Sequence, residues 1–340
     1  MTSMLTTPYT GPSAWTRAQM EADASWRYQL SRDEVDQVRR AVDAAAGTGK
    51  PLEDIGAQDF PLGSLHERIR VLARELEEGR GFELWRGLPV DDWTLEERSI
   101  AYWGLGRHLG DPVVQNARGE LFGHVQDTTG ADPQTNANTR FYHTNRAAPF
   151  HVDGADMVGL MCVRTAQAGG ASLVVSSTSI YNALLRDRPD LIPLLYDRLW
   201  FDHRGERNAV TGDPWWVTSI CGWNGRKLSM MYLRNFIESA QRYEGAPPLS
   251  PRHHELLALI DHYAESPELC LSMDFRPGDI QWLNNHVTLH SRTGFTDWPE
   301  PDRKRWLMRL WLNQFERDRF TETYGFYGIA VDARGDKAVA

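Results

Sequence analysis

The segment Phe150-His151-Val152-Asp153 sets an imidazole and a carboxylate two positions apart, and a further histidine, His290, stands far downstream at the end of another strand-like run. In extended backbone, side chains alternate between faces, so His151 and Asp153 project together and can take two adjacent sites on one ion. If His290 is the third ligand, two strands remote in sequence must meet, and that restricts the chain to folds that bring distant strands together. Two imidazoles and one carboxylate on one face of an octahedral ion form the donor set of non-haem iron(II). They leave the opposite face open to a co-substrate and dioxygen. An HxD triplet alone is weak, because a surface turn or a hydrogen-bonded pair gives the same residues. Its weight comes from the combination with His290 and with the arginine-rich strand that follows.

Helical spacing dominates the first third. Val35, Val38, Val42 and Ala45 recur after Ser31, Leu65, Ile69, Leu72 and Leu76 form a second stripe, and Thr94 opens a third helix running to Leu109. Residues 81–89 read as a strand closed by a turn. Beyond Gly110 the pattern becomes short strand-like runs at 121–125, 139–143, 157–163, 173–177, 199–202, 215–221, 227–232, 280–283 and 305–313. Helices are expected around Ile180 and Leu184, at 191–196 and over 251–266. The first thirty residues, with Pro8, Gly11 and Pro12, are read as a segment wrapping the surface. No repeat or linker divides residues 31–340, which are read as one domain. The expected fold class is mainly β with flanking helices, around a double-stranded β-helix (jelly-roll) core holding a metal in its mouth.

Charge narrows the partners. A formal net charge of −9 argues against broad nucleic-acid or anionic-membrane binding and leaves a small-molecule substrate as the expected partner. The start Met1-Thr-Ser-Met-Leu lacks the basic region and apolar core of a signal peptide, and no run approaches the roughly 18 apolar residues of a membrane span, so a cytoplasmic protein is expected. The three cysteines, Cys162, Cys221 and Cys270, are too scattered for a disulfide framework or a zinc site and read as reduced thiols. Thirteen tryptophans imply a core, or a pocket wall, built on large aromatics.

Several pieces occur in a telling order: Gly-Phe-Glu-Leu-Trp-Arg-Gly-Leu-Pro at 81–89, His151-Val-Asp153, the turn Gly169-Gly170-Ala171-Ser172, Asn284-Asn285 before His290, and Arg305-Trp-Leu-Met-Arg309. With these the chain resembles the taurine dioxygenase family of iron(II)/2-oxoglutarate oxygenases, whose wider group includes clavaminate synthase, over roughly residues 81–312. The resemblance implies that His151, Asp153 and His290 bind iron(II) and that Arg305 pairs with the distal carboxylate of 2-oxoglutarate. Ser172 stands where the family often has a threonine that donates to the same carboxylate. The chemistry is compatible, since a guanidinium offers a two-donor fork and a hydroxyl one further donor. Arg309 falls where family members place an arginine for the substrate's anionic group, and a structural ion pair is its competing reading. Tyr142, Thr144 and Asn145 are candidates to line the mouth, against a plain hydrogen-bonded turn.

The expected activity is oxidation of an unactivated C–H bond of a small anionic or amino-acid-like molecule, with 2-oxoglutarate decarboxylated to succinate and dioxygen consumed. Hydroxylation comes first, with desaturation or cyclisation as variants. Asp153 argues against halogenation, because related halogenases replace that carboxylate with a small residue. The family often forms dimers or tetramers, so a homo-oligomer is implied.

Other readings stay open. Arg303 rivals Arg305 if the strand begins early. His286 lies four before His290, a helical zinc spacing, but Val287-Thr288 favours a strand and makes His286 a satisfied interior histidine. His203, His253 and His254 are read as structural. Two functional alternatives remain: a zinc hydrolase using the same ligands to activate water, and a non-catalytic protein that binds metal and 2-oxoglutarate.

Overall fold

The runs Met157–Arg164 and Trp306–Asn313 carry almost no exposed residue, which marks strands covered on both faces. They pair antiparallel at the middle of a seven-stranded sheet ordered Arg27–Gln29, Phe82–Arg86, Ile280–Asn284, Met157–Arg164, Trp306–Asn313, Asp111–Pro112, with Phe122–Val125 also on the Trp306–Asn313 strand. A second, four-stranded antiparallel sheet is ordered Leu271–Met273, Ser172–Ser176, Thr288–Arg292, Ala148–His151. This computed structural model describes residues 4–129, 140–314 and 328–331.

Alternation along the strands separates two cores. Met157, Met161, Met308, Leu310 and Leu312 point outward onto the helices Arg32–Ala46, Leu65–Glu77 and Leu95–Arg107, packing with Val38, Leu72 and Trp103. Their neighbours Val158 and Trp311 point the other way and meet Val174, Leu271 and Met273 of the smaller sheet. The far side of that sheet is covered by the helices Ser177–Asp187 and Pro251–Ala264 through Val175, Leu289, Ile180, Leu184 and Ile260. The two sheets thus face each other as a double-stranded β-helix core without closing into one barrel. The helix starts follow their sequence signals: Ser31 with Glu34, and Thr94 with Glu97, form reciprocal capping boxes.

Three expectations need correcting. The first thirty residues do not merely wrap the surface: Trp15 and Trp26 are buried, and Arg27–Gln29 joins the large sheet parallel to Phe82–Arg86. Bulky anchors there supply burial without any periodicity to read. In the run 139–143, Thr139 lies outside the described residues and Phe141–His143 forms a 3-10 turn rather than a strand. The run closes on itself instead of on a partner strand: His143 N donates to Arg140 O, Thr144 N and Oγ1 to Phe141 O, and His143 O accepts from Thr128 N at 3.1 Å. The run 215–221 is broken at Ser219, so that Trp215–Thr218 pairs with Leu199–Asp202 and Cys221–Trp223 with Leu228–Met230.

Candidate metal centre and cavity

His151 ends the Ala148–His151 strand, His290 sits mid-strand in Thr288–Arg292, and the two are register partners across the smaller sheet. Asp153 follows two residues after His151. His151 Nε2 lies 4.0 Å from Asp153 Oδ1 and His290 Nε2 lies 3.8 Å from Asp153 Oδ2. Their ligand atoms all fall within 4.8 Å of one another, and no other such cluster occurs among the described residues.

The surroundings aim these atoms inward. His151 Nδ1 contacts Pro149 O at 2.8 Å, and since a carbonyl only accepts, Nδ1 carries the proton and Nε2 keeps its lone pair for the ion. Asn285 Oδ1 accepts from Asp153 N at 3.1 Å while Asn285 Nδ2 donates to Ala155 O at 2.9 Å, bracing the turn on both sides of Gly154. Burial alone would push the Asp153 carboxyl up, but Arg309 first, then His290 and His151, hold it below the usual carboxylate range. Burial, reinforced by the neighbouring His151, pulls His290 down to about 3, so it is neutral at physiological pH, the form that ligates. Asp153 Oδ2 is buried without a hydrogen-bond partner. A bare buried carboxylate oxygen beside the neutral His290 imidazole is a costly arrangement that a divalent cation would relieve. The residues therefore fit iron(II).

A cavity opens from this cluster. Leu307, Arg309 and Trp311 share the inward face of the Trp306–Asn313 strand, and with Arg305, the residue just before it, they line the cavity. Arg305 is buried, with Nη2 3.5 Å from Gly170 O and Nη1 lacking any partner. Burial, and then Arg292, lower its guanidinium to about 10, still a cation at neutral pH. Gly170 has φ +75°, and a Cβ there would stand 2.9 Å from Arg305 Nε, so the glycine gives the guanidinium its passage. Arg303 lies exposed in the preceding 3-10 turn, stacked on Trp298 at 3.6 Å, and is no rival.

The remaining candidates are distributed unevenly. Ser172 lines the cavity, but its hydroxyl donates to Gln281 Oε1 at 2.9 Å. Arg309 is held by Gln115 Oε1 at 2.9 Å, approaches Asp153 Oδ1 at 3.5 Å, and lies over the Tyr142 ring at 4.7 Å. Tyr142 lines the cavity. Asn145, by contrast, is exposed and is not part of the lining: the turn directs its side chain outward, and only its carbonyl is used, accepting from Phe295 N at 3.1 Å. Thr144 is buried but bonds back to Phe141 O. His286 sits in the turn before the His290 strand, between Ser229 Oγ at 2.9 Å and Asp156 Oδ1 at 3.0 Å, a satisfied interior histidine.

Sequence reasoning missed Gln115, Arg292, His203 and Arg204 as cavity-wall residues. For His203-Arg204 the available signal was Gly205, since a charged residue before glycine at a strand end marks a turn that can point into a cavity.

Residues 48–311 match the family described as taurine catabolism dioxygenase TauD, TfdA family. FR-33289 synthase of Streptomyces rubellomurinus is 32% identical over 340 residues, covering 97% of this chain and 99% of that protein. Among solved structures, asparagine oxygenase in complex with Fe(II), 3-hydroxyasparagine and succinate superposes with a TM-score of 0.66 at 18% identity, covering 85% of this chain and 94% of that one. The non-heme iron oxygenase OrfP with Fe and alpha-ketoglutaric acid gives 0.60 at 15% identity, covering 84% and 94%.

Proposed function

Because this chain belongs to the TauD, TfdA family of dioxygenases, we propose that His151, Asp153 and His290 hold its iron(II) and that Arg305 receives the distal carboxylate of 2-oxoglutarate. The protein is an iron(II)/2-oxoglutarate-dependent oxygenase: it couples decarboxylation of 2-oxoglutarate to succinate with oxidation of a C–H bond of a small molecule. Membership sets aside zinc hydrolysis and non-catalytic binding. The observation that carries the residue assignment is the pair of buried groups of opposite sign, Asp153 Oδ2 and Arg305 Nη1, that line one cavity and lack hydrogen-bond partners.

Iron bound at the three ligands supplies the redox chemistry by which dioxygen is activated at the expense of 2-oxoglutarate. The chain supplies position and charge. Pro149 O fixes the His151 ring, Asn285 holds the Asp153 backbone, and Arg309 keeps the Asp153 carboxyl ionised in a buried site. Arg305 offers a cation where water is excluded, so a carboxylate gains more there than at the surface. Ser172 becomes a second donor to that carboxylate if its hydroxyl rotates from Gln281, a change that hydroxyls make freely. Arg309 and Tyr142 contact the primary substrate, read as a small anionic or amino-acid-like molecule. No described helix is long and apolar enough to cross a membrane, which accords with work in the cytoplasm.

Anaerobic addition of iron(II) and then 2-oxoglutarate to metal-free protein tests the assignment. A weak visible metal-to-ligand charge-transfer band is expected, absent from His151→Ala and Asp153→Ala. Its persistence in either variant would remove the ligand set.

A further inference from the structure

Three consecutive carbonyls at the cavity mouth turn to one short segment. Thr144 O and Arg146 O accept from Arg292 Nη2, the first at 2.9 Å, and Asn145 O accepts from Phe295 N at 3.1 Å. The turn they belong to carries Tyr142 at the cavity wall and leads into the strand that ends at His151. The same segment also grips the co-substrate side. Gly170 N donates to Gly294 O at 3.2 Å and Thr293 N to Ala171 O at 3.0 Å, while Thr293 Oγ1 accepts from Ala171 N at 3.0 Å. Residues 292–295 thus tie the turn before the HxD triplet to the Gly169–Ser172 turn beside Arg305.

Arg292 sits where the two sides meet. It stands two residues after His290 and opposite Ser172 in register, so these three side chains project from one face of the smaller sheet and line the cavity. Its guanidinium lies 4.9 Å from the Phe295 ring, and that of Arg305 lies 5.1 Å from the same ring. Nη2 is committed to the mouth turn, whereas Nε is buried without a hydrogen-bond partner. Two buried cations at one ring repel each other, so holding Arg292 on the turn costs free energy while Arg305 stands alone. A carboxylate on Arg305 offsets that charge and attracts Arg292 as well. A ligand that interacts unequally with two arrangements of a segment shifts the balance between them.

We propose that Arg292 is a positioning residue through which the co-substrate builds the substrate wall: a distal carboxylate on Arg305 tightens the hold of Arg292 on residues 144–146, and with it the place of Tyr142. This rests on the reading of Arg305 as the receiver of that carboxylate.

Hydrogen exchange of residues 141–147, read by mass spectrometry on the full chain, tests this without a known substrate. The protein is kept with iron(II) and without oxygen. 2-Oxoglutarate is compared with 2-oxopentanoate, the same chain with methyl in place of the distal carboxylate, and the charge-transfer band reports chelation of either acid. 2-Oxoglutarate should slow exchange of the segment by about threefold or more, and 2-oxopentanoate at full band should leave it as with iron(II) alone. In Arg292→Met, exchange should be faster from the start and indifferent to 2-oxoglutarate. Affinity for 2-oxoglutarate should fall there by about the factor by which binding slows exchange in wild type, because coupling is reciprocal. Arg292→Lys, which keeps the charge without the planar fork, should fall between the two. A merely structural arginine would loosen the segment and leave both the affinity and the response to 2-oxoglutarate as they were. If Arg292→Met does not fold, the comparison of the two acids in wild type decides. Equal slowing by both acids, no slowing by 2-oxoglutarate at full band, or a response that survives in Arg292→Met would overturn the proposal. Slowing that needs Arg292 in protein that shows no band would keep this link and remove the iron assignment. Neither band nor slowing would remove the Arg305 reading and this proposal with it.

Discussion

Arg309 Nη1 lies 3.5 Å from Asp153 Oδ1, and both side chains are buried, so the charge of a proposed iron ligand is set by a residue on the opposite sheet. Removing that cation takes away the strongest influence opposing desolvation at Asp153, and its pKa rises. Arg309→Gln should therefore lower iron(II) affinity about tenfold near pH 7, with a larger loss at pH 5.5, where protons compete better for the carboxylate. Chelator competition at the two pH values measures this. A pH-independent affinity equal to wild type would mean that Arg309 does not act through Asp153.

Asn285 braces the Asp153 turn through one acceptor and one donor. Asn285→Ala should weaken iron(II) binding by roughly tenfold or more, as loss of an orienting partner does at metal sites. Asn285→Asp, which keeps the acceptor, should retain more affinity than the alanine variant. The same chelator competition reads both, and equal affinities would show that the Ala155 contact dominates.

Gly170→Ala forces a Cβ onto the Arg305 side chain at a backbone φ of +75°. The KM for 2-oxoglutarate should rise several-fold while iron(II) affinity stays near wild type. Arg305→Gln should raise that KM by about a hundredfold, the loss expected for a buried charge-assisted contact. An unchanged KM in Arg305→Gln would place the co-substrate carboxylate elsewhere.

His203 carries a pH signature. Burial first, then Arg140, lowers its pKa from 6.5 to about 4. The unfolded chain takes up a proton near pH 6.5 that the folded chain refuses until about pH 4, so the stability contributed by neutral His203 is whole above 6.5 and is lost as pH falls through that window. Urea melts at pH 7 and pH 5 should show wild type losing about 1–2 kcal/mol more than His203→Gln. Equal losses would show that His203 is not the group responsible.

Much of this was legible in the sequence because it is periodic or local. Ser31 with Glu34 announces a helix start through two reciprocal bonds, and the i, i+2 spacing of His151 and Asp153 announces a shared face. Arg305 could not be separated from Arg303 by alternation, since both sit at odd positions. The 3-10 turn at Pro301–Arg303 made the choice by keeping Arg303 on the surface, while Arg305 lies buried next to the first residue of the strand. Asn145 failed for a related reason: proximity in sequence to the HxD triplet says nothing of direction once a turn intervenes. Arg204 lay in a loop with no period, and its place in the cavity wall is set by a turn that only the fold creates.

The parallel pairing of Arg27–Gln29 with Phe82–Arg86 has a consequence for solubility. Phe82–Arg86 would otherwise be the rim of the large sheet, with its unpaired amides and carbonyls open to another chain. Trp15, through its indole bond to Arg80 O, and the buried Trp26 fasten the covering segment over that rim. A chain trimmed to begin after residue 30 would keep every cavity residue named above. It would fail by self-association through the bared strand, with the chemistry of the cavity still intact in whatever fraction stayed in solution.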